Sequence, residues 1–535
     1  MVSRRLSRVL DALGTDERAV SDLPVDDHDA LAALFEGVDA VDPLTHIEAA
    51  LGRSVLDGGA AVLPRARRLR VAARMLLRPP EVPAPTVERS WLVSLDRLEP
   101  AAQAMVVQDP AQRAAWAALY AMEEVHPTLL VDSRLFPALD LSGRSDGVLV
   151  HGDGAAALDA LELPPLDAVV IDPPYNTGND HFPYDDDRSA LRWVAMMRRL
   201  IMADHARLAP TGSLVVHIDE HEHVRLDRLL AEVFGRRNVV GPIVWDKRNP
   251  KGDATGIAVQ HEHLAWALRD AATVRAAGGL RRPKANAEAM LGRAADEVRR
   301  LGVERARPAY RAWLRSQPFS AGERAYSELD AEGAPYRPVS MAWPSKKPAP
   351  PEYFRPLVHP TTGLSCPVPA RGWRNPPGTM DALVARGDVL FGVDHTTQPT
   401  RKYRLADNRT ERVPSLLYHG GSDDDLLAEM GLTFPTPKPV RVASYICSIT
   451  VPPGGIVLDH FAGSGTTAHA VIELNRADVG SRRFVLIEAA DTFERVLLPR
   501  IARATFASRW RGGRPDAPDA LSVRYEVVRL GAPVA

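Results

Sequence analysis

The sequence predicts an α/β fold built on a parallel sheet with helices on both faces, and three observations predict it. From Gly147 onward, short apolar runs alternate with amphipathic helical stretches, the pattern of strands linked by crossover helices. Two of those runs end in polar, loop-forming motifs, IDPPYNTG at residues 171–178 and LDHFAGSGTT at residues 458–467. Ligands of open α/β sheets bind at such strand ends. The alternation stops after Asp270 and resumes near Thr433. The simplest organisation is therefore one α/β domain whose two sequence halves flank an inserted module.

The elements follow in order. Residues 1–142 are rich in Ala, Leu and Arg, and DPAQRAAWAALYAMEEV (109–125) has helical spacing with Asp109 and Pro110 as cap and first turn. A helical accessory region is expected there. Residues 143–270 hold the strand GVLVHGD, the helix AAALDALEL, the strand DAVVID, the helix LRWVAMMRRLIMADHARL, the strand GSLVVHID, the helix VRLDRLLAEVFG and the strand VVGPIVW. Residues 271–432 are irregular, with proline clusters and many arginines. Residues 433–510 return to the pattern: PKPVRVASYICSI as helix, PPGG as turn, GIVLDHF as strand, TTAHAVIELNR as helix and FVLIEA as strand. Residues 511–535 read as a C-terminal tail.

Composition narrows the function classes. The chain has 535 residues, 45% hydrophobic and 25% charged, as a globular protein does. Its formal net charge is -2, so a nucleic-acid partner must be held by local patches. Two cysteines, Cys366 and Cys447, leave no disulfide framework and no cysteine-rich zinc site, and reducing cytoplasm is expected. No signal peptide is read at the N-terminus. No run approaches the roughly 20 apolar residues of a membrane span, so no membrane partner is expected.

The first motif places three apolar residues, Val169 to Ile171, before an acid, two prolines and a tyrosine. The prolines stop any helix or ladder, so Asp172 and Tyr175 are presented on a rigid loop. In the second motif, Gly463 and Gly465 let the backbone approach a ligand, and Thr466 opens a helix whose N-terminus favours negative charge. No Gly-Lys-Ser/Thr follows, so this is not a phosphate-cradling P-loop. Glu488 ends the next strand, where an acid can take two ribose hydroxyls. An adenosine-like ligand is expected. His221-Glu222-His223 and His261-Glu262-His263 lack the spacing that puts two metal ligands on one helical face. They read as a polar helix start and as strand-edge polar residues, and no metal site is expected. Asp185 to Asp187 reads as a solvated acidic turn.

Asp172-Pro173-Pro174-Tyr175 followed later by Phe461-Ala462-Gly463-Ser464-Gly465 resembles the amino methyltransferases of DNA that use S-adenosyl-L-methionine, in their β-arranged group. The likeness is to the modification (Mod) subunit of type III restriction-modification systems. VLVHGDGAAALDAL, IDPPYNTGNDHFPYDD, WVAMMRRL, GSLVVHIDEHE, VFGRRNVVGPIVWDKR and FAGSGTTAHAVIELN carry it, over residues 147–270 and 433–490. The resemblance implies a Rossmann-like methyltransferase sheet, S-adenosyl-L-methionine as cofactor, and methyl transfer to adenine N6 in duplex DNA by base flipping. It gives Asp172 and the Pro173 carbonyl the role of accepting hydrogen bonds from the target amine, a role their chemistry suits independently. Pro174 shares the catalytic motif, and Tyr175 would stack on the flipped base.

For the cofactor, the resemblance puts Gly463 and Gly465 beneath the methionine part, Phe461 near the adenine ring and Glu488 on the ribose. Asp459 and Thr466 flank the same loop, Asp153 lies near the cofactor adenine, and Lys438 near the methionine carboxylate. The insert is expected to be the target-recognition region, with Arg281, Arg282, Lys284, Arg311, Arg315 and Lys402 as DNA contacts; the alternative is a solvated helical surface. Double-stranded DNA, a homodimer and a separate restriction (helicase-nuclease) subunit are the implied partners. Cytosine N4, an RNA substrate, and a DNA-binding specificity subunit with vestigial catalysis stay open.

Overall fold

The apolar runs of the sequence become the centre of one mixed sheet. The structure, a computed structural model, describes residues 6–7, 9–10, 23–35, 69, 86–94, 97, 128–132, 145–177, 189–248, 256–517 and 519–531. Among these, eleven strands form the main sheet: β1 (Thr86–Ser94), β2 (Thr128–Asp132), β3 (Gly147–His151), β4 (Leu166–Ile171), β5 (Leu208–Ile218), β6 (Val239–Asp246), β7 (His261–Leu268), β8 (Leu416–Tyr418), β9 (Ile456–Asp459), β10 (Arg483–Glu488) and β11 (Arg524–Gly531). Their spatial order is β8-β6-β7-β5-β4-β9-β10-β3-β11-β1-β2. The six strands from β5 to β11 are parallel, with Val169 of β4 opposite Leu214 of β5 and Leu458 of β9. β7 lies antiparallel between β5 and β6, and β1 runs antiparallel to β11 and β2.

Helices α1 (Gly154–Ala160), α2 (Ala190–Arg207), α3 (His223–Phe234), α4 (Val440–Thr450), α5 (Thr466–Asp478) and α6 (Leu498–Phe506) accompany this sheet. Strand alternation sorts the core. Val169 and Ile171 join the cluster that holds Trp193, Met197 and Ile201 of α2 and Leu226, Leu229 and Leu230 of α3. Ala168 and Val170, equally buried, point to the other face. α2 starts where Ser189 accepts a hydrogen bond from the Arg192 N–H at 3.3 Å, an N-cap.

The topology positions a site. β4 continues through α2 to β5 on one side, whereas β9 continues through α5 to β10 on the other. The connections diverge between β4 and β9, which opens a crevice at the carboxyl ends of these strands. Both sequence motifs end there.

The chain divides into two compact units, residues 1–280 with 414–535, and Arg281–Val413. Residues 271–280 and 414–432, expected within the insert, belong to the sheet unit; β8 pairs with β6 through Leu416 and Val244. Within residues 511–535, expected as a tail, Arg524–Gly531 is a strand. RYEVVRLG alternates, buries Tyr525, Val527 and Val528, and pairs with β3 on one side and β1 on the other. The N-terminal region contributes strands as well as the helix Val25–Phe35, while the helix expected at 109–125 lies outside the described residues.

The unit Arg281–Val413, taken by itself, is structured rather than irregular. Helices Ala287–Leu301 and Val303–Ser316 bury Met290, Ala294, Ala306, Tyr310 and Leu314 together. A four-stranded sheet contains Pro335–Ser340 and Thr400–Arg404, and a second core gathers around Trp373, Met380 and Leu383. Arg281–Pro283 pairs with Thr410–Arg412, which ties the two ends of the unit together. Among the described residues no helix is long and apolar enough to cross a membrane.

Candidate active site

The first motif leaves β4 at Ile171 and is pinned at two points. The indole Nε1 of Trp193, on α2, donates to the Pro174 carbonyl at 2.8 Å. Asn176 stands in the left-handed region at φ 62°, and its amide donates to Glu222 at 2.8 Å. Glu222 is held in turn by Arg225 at 2.9 Å. Asp172 sits between β4 and this anchored turn with its side chain 34% exposed, open to an incoming ligand. The acidic turn 185–187 lies outside the described residues.

Tyr175 belongs to a charged cluster. Its hydroxyl donates to Glu262 at 3.1 Å and accepts from the Lys438 ammonium at 2.6 Å. Lys438 also donates to Glu262 at 2.8 Å, stands 3.4 Å from Asp172, and lies 4.7 Å from the centroid of the Tyr175 ring. Lys247, following β6, donates to the other Glu262 oxygen at 2.6 Å. Burial alone would raise the Glu262 carboxyl, but the Lys438 and Lys247 charges hold it well below the usual carboxylate range. Burial alone would lower the Lys438 ammonium, but Asp172 and Glu262 raise it above its ordinary value. Burial, followed by the charges of Asp172 and Glu262, raises the Tyr175 phenol well above its ordinary value, so the hydroxyl stays protonated. His217, on β5 in the same field, is pushed by burial down to about 4 and stays neutral at pH 7.

One expectation changes here. Glu262 is not a strand-edge residue: β7 is interior, between β5 and β6, and the side chain is 8% exposed. A buried acid in an apolar strand, HEHLAWAL, was the available signal. Lys438 has its ammonium among Asp172, Tyr175 and Glu262, and its backbone carbonyl accepts from the Thr466 hydroxyl of the second loop at 3.3 Å.

The second motif turns tightly between β9 and α5. Gly463 and Gly465 have φ values of 51° and 86°. A Cβ at Gly465 would come within 3.3 Å of Leu497 and Ile501, so strain and packing both require glycine. Asp459 is buried; it accepts from the Phe461 N–H at 3.0 Å and the Thr467 hydroxyl at 2.7 Å, and burial pushes its carboxyl up to about 7. It braces the loop rather than facing the crevice. Glu488 accepts from the Gly463 N–H at 2.7 Å and the Ala490 N–H at 2.8 Å, and burial raises its carboxyl. Phe461 is half-buried against the core. Asp153 caps α1, accepting from the Ala156 N–H at 2.9 Å.

Two residues behind this loop were not anticipated. Arg500, fully buried on α6, donates to the Ser464 hydroxyl at 2.6 Å and the Thr466 hydroxyl at 3.0 Å; burial lowers it to about 10. Nothing in LPRIARATF distinguishes Arg500 from a solvated arginine. His460 pairs with Asp204 of α2 at 3.0 Å, both fully buried.

Most of the basic residues proposed for the insert have partners inside that unit. Arg281 donates to the Thr410 hydroxyl at 2.7 Å, Arg282 to Glu411 at 2.8 Å, Lys284 to the Tyr326 hydroxyl at 3.0 Å, and Arg311 pairs with Glu328. Burial lowers the Lys284 ammonium. Lys402 lies 5.8 Å from the Tyr336 ring centroid, and Arg315 is exposed.

Comparison with known proteins gives a consistent picture. The N6-N4 methyltransferase family, described as DNA methylase, matches residues 166–497. The chain is 25% identical over 404 residues to the Mod subunit of the type III restriction-modification enzyme EcoP15I of Escherichia coli, covering 68% of this chain and 61% of that protein. It is 26% identical over 381 residues to the StyLTI Mod subunit of Salmonella typhimurium, covering 64% and 52%. It is 28% identical over 347 residues to the type II methyltransferase M.KpnI of Klebsiella pneumoniae, covering 61% and 75%. The chain thus spans just over half to about three fifths of the two Mod subunits. With a family match that includes both motifs and the whole insert, the chain belongs to the N6/N4 DNA methylase family.

Proposed function

We propose that this protein is a site-specific DNA methyltransferase that moves a methyl group from S-adenosyl-L-methionine to adenine N6 in duplex DNA. The observation that carries this reading is the position of Asp172: an accessible carboxylate on a braced loop, one strand away from a glycine turn, at the point where the sheet's connections diverge.

The residues present fit the cofactor. Gly463 and Gly465 leave the backbone bare at the crevice, and Phe461 offers an aromatic edge beside it. Each Glu488 oxygen accepts one backbone N–H and keeps a lone pair for a ribose hydroxyl. Asp153 stands at the start of α1, just past the end of β3, the strand next to β10. When bound, the cofactor supplies an electrophilic methyl carbon.

The protein's own groups do the rest. The lone pair of adenine N6 is delocalised into the ring, which makes the amine a poor nucleophile. Asp172 and the Pro173 carbonyl accept its two hydrogens, draw the lone pair out of the ring and aim it, so orientation and fixed dipoles supply the rate. The Trp193 bond to the Pro174 carbonyl keeps this acceptor pair rigid. Tyr175 offers its ring to a base taken out of the stack. The methylated amine sheds its proton readily to Asp172 or to water.

The two Mod relatives support a role as the modification and recognition subunit of a type III-like system, with a separate restriction subunit. Arg281–Val413 would then read the target, since it interrupts the domain between the two motifs. The test is transfer of labelled methyl from S-adenosyl-L-methionine to duplex DNA, with structured RNA as competitor. Label in DNA adenine is expected. Label in RNA or in cytosine would replace the substrate assigned here.

A further inference from the structure

Asp172 and Glu262 are linked through one ammonium group but differ in access. The Asp172 side chain is 34% exposed and Glu262 only 8%. A substrate reaches the first and not the second. Glu262 nevertheless receives three donors: the Tyr175 hydroxyl, Lys438 and Lys247. Lys438 leans 2.8 Å from Glu262 and 3.4 Å from Asp172, closer to the acid that no substrate touches.

This matters because an ammonium beside Asp172 competes with the target amine for the same carboxylate. A second carboxylate that takes the tighter contact shares Lys438 with Asp172 and weakens the ammonium's hold on it. The same carboxylate fixes the Tyr175 hydroxyl, and through it the plane of the ring. Lys247 completes the balance, two ammonium charges against two carboxylates. A buried carboxylate of this kind costs several kcal/mol in desolvation unless it is paired, so its place in β7 calls for a use.

We propose that Glu262 is a positioning residue for methyl transfer: it holds Lys438 and Tyr175 more closely than Asp172 does, so that Asp172 can exchange its share of the ammonium for the target amine. This rests on the methyltransferase reading above. Glu262→Gln keeps the size and removes the charge, which releases Lys438 onto Asp172. The expected result, on a duplex carrying the methylated motif of the wild type, is a kcat lower by roughly tenfold or more. KM for S-adenosyl-L-methionine and affinity for DNA should stay within about threefold. Glu262→Asp should recover part of the loss, because charge and not volume is what it restores.

Tyr175→Phe checks the same link from the other end and does not depend on folding of the Glu262 variants. It keeps the ring and removes only the hydroxyl, and kcat should fall while DNA binding is kept. Normal kcat in either Glu262→Gln or Tyr175→Phe overturns the proposal. So does a loss in Glu262→Gln that lies in KM, or one that Glu262→Asp does not relieve. A wild-type protein that transfers no methyl group overturns the functional reading and this inference with it. An active wild type with unaffected variants overturns the inference alone.

Discussion

At the scale of single residues, the site is a set of fixed acceptors around one reachable carboxylate. If Asp172 orients the amine rather than builds the loop, its loss should remove the reaction and spare binding. Asp172→Ala is expected to lower methyl transfer by about three orders of magnitude or more. Cofactor affinity and DNA affinity, measured by calorimetry and gel shift, should stay within a few fold. Turnover near that of the wild type would refute the role. Asp172, Tyr175 and the Gly463–Gly465 turn were legible in the sequence because their chemistry is local: an acid, prolines and glycines within a few positions of one another. Glu262 was not, since two of its three partners lie 87 and 176 residues away along the chain. Arg500 was hidden for a related reason, because burial of a helical arginine depends on what packs over it. The ammonium of Lys438 could not be placed from the sequence, since a lysine's reach covers both the glycine loop and the catalytic loop.

At the scale of elements, two couplings within the sheet unit can be tested. The first joins β9 to α2 through His460 and Asp204. Burial alone would lower the imidazole's pKa, yet the Asp204 carboxylate raises it above its ordinary value. A group whose pKa rises on folding adds stability that is full below its unfolded value, near 6.5. That contribution is lost as pH rises through the folded value. Asp204→Asn should therefore destabilise the protein by about 3 kcal/mol or more in mildly acidic buffer. The gap in thermal midpoint from the wild type should narrow as the buffer becomes alkaline. A gap that is constant with pH would show that the pair is not ionised. The second coupling is β11, which is paired on both sides between β3 and β1. Truncation before Arg524 would remove β11 with its buried Tyr525, Val527 and Val528 and open the edges of β3 and β1. Loss of soluble folded protein is expected, as seen by yield and circular dichroism; a stable truncated protein would contradict the register. β11 was taken for a tail because a single alternating run after an irregular stretch carries no sign of which neighbours it joins.

At the scale of the whole molecule, the chain combines a sheet unit that holds both motifs with a separate compact unit at Arg281–Val413. The alternation of strands and helices made the sheet unit legible, and its interruption made the insert legible as an insertion. The insert's own helices and cores were not, because its short strands and proline clusters lack a sustained period. Four of its six singled-out basic residues already have partners within the unit, so exposed groups such as Arg315 are the better candidates for phosphate contact. If this unit reads DNA, replacing it with the corresponding segment of a family member should move the methylated motif and leave the chemistry unchanged. An unchanged motif would remove recognition from the insert.

In the proposed reaction, Asp172 presents a flipped adenine for N6 methylation at one short DNA motif. The most direct test is incubation of the purified protein with duplex DNA and S-adenosyl-L-methionine, followed by single-molecule mapping of modified bases, with Asp172→Ala in parallel. N6-methyladenine at a single motif, absent with the variant, is the predicted result. Modification of another base, or the same modification by both proteins, would contradict it.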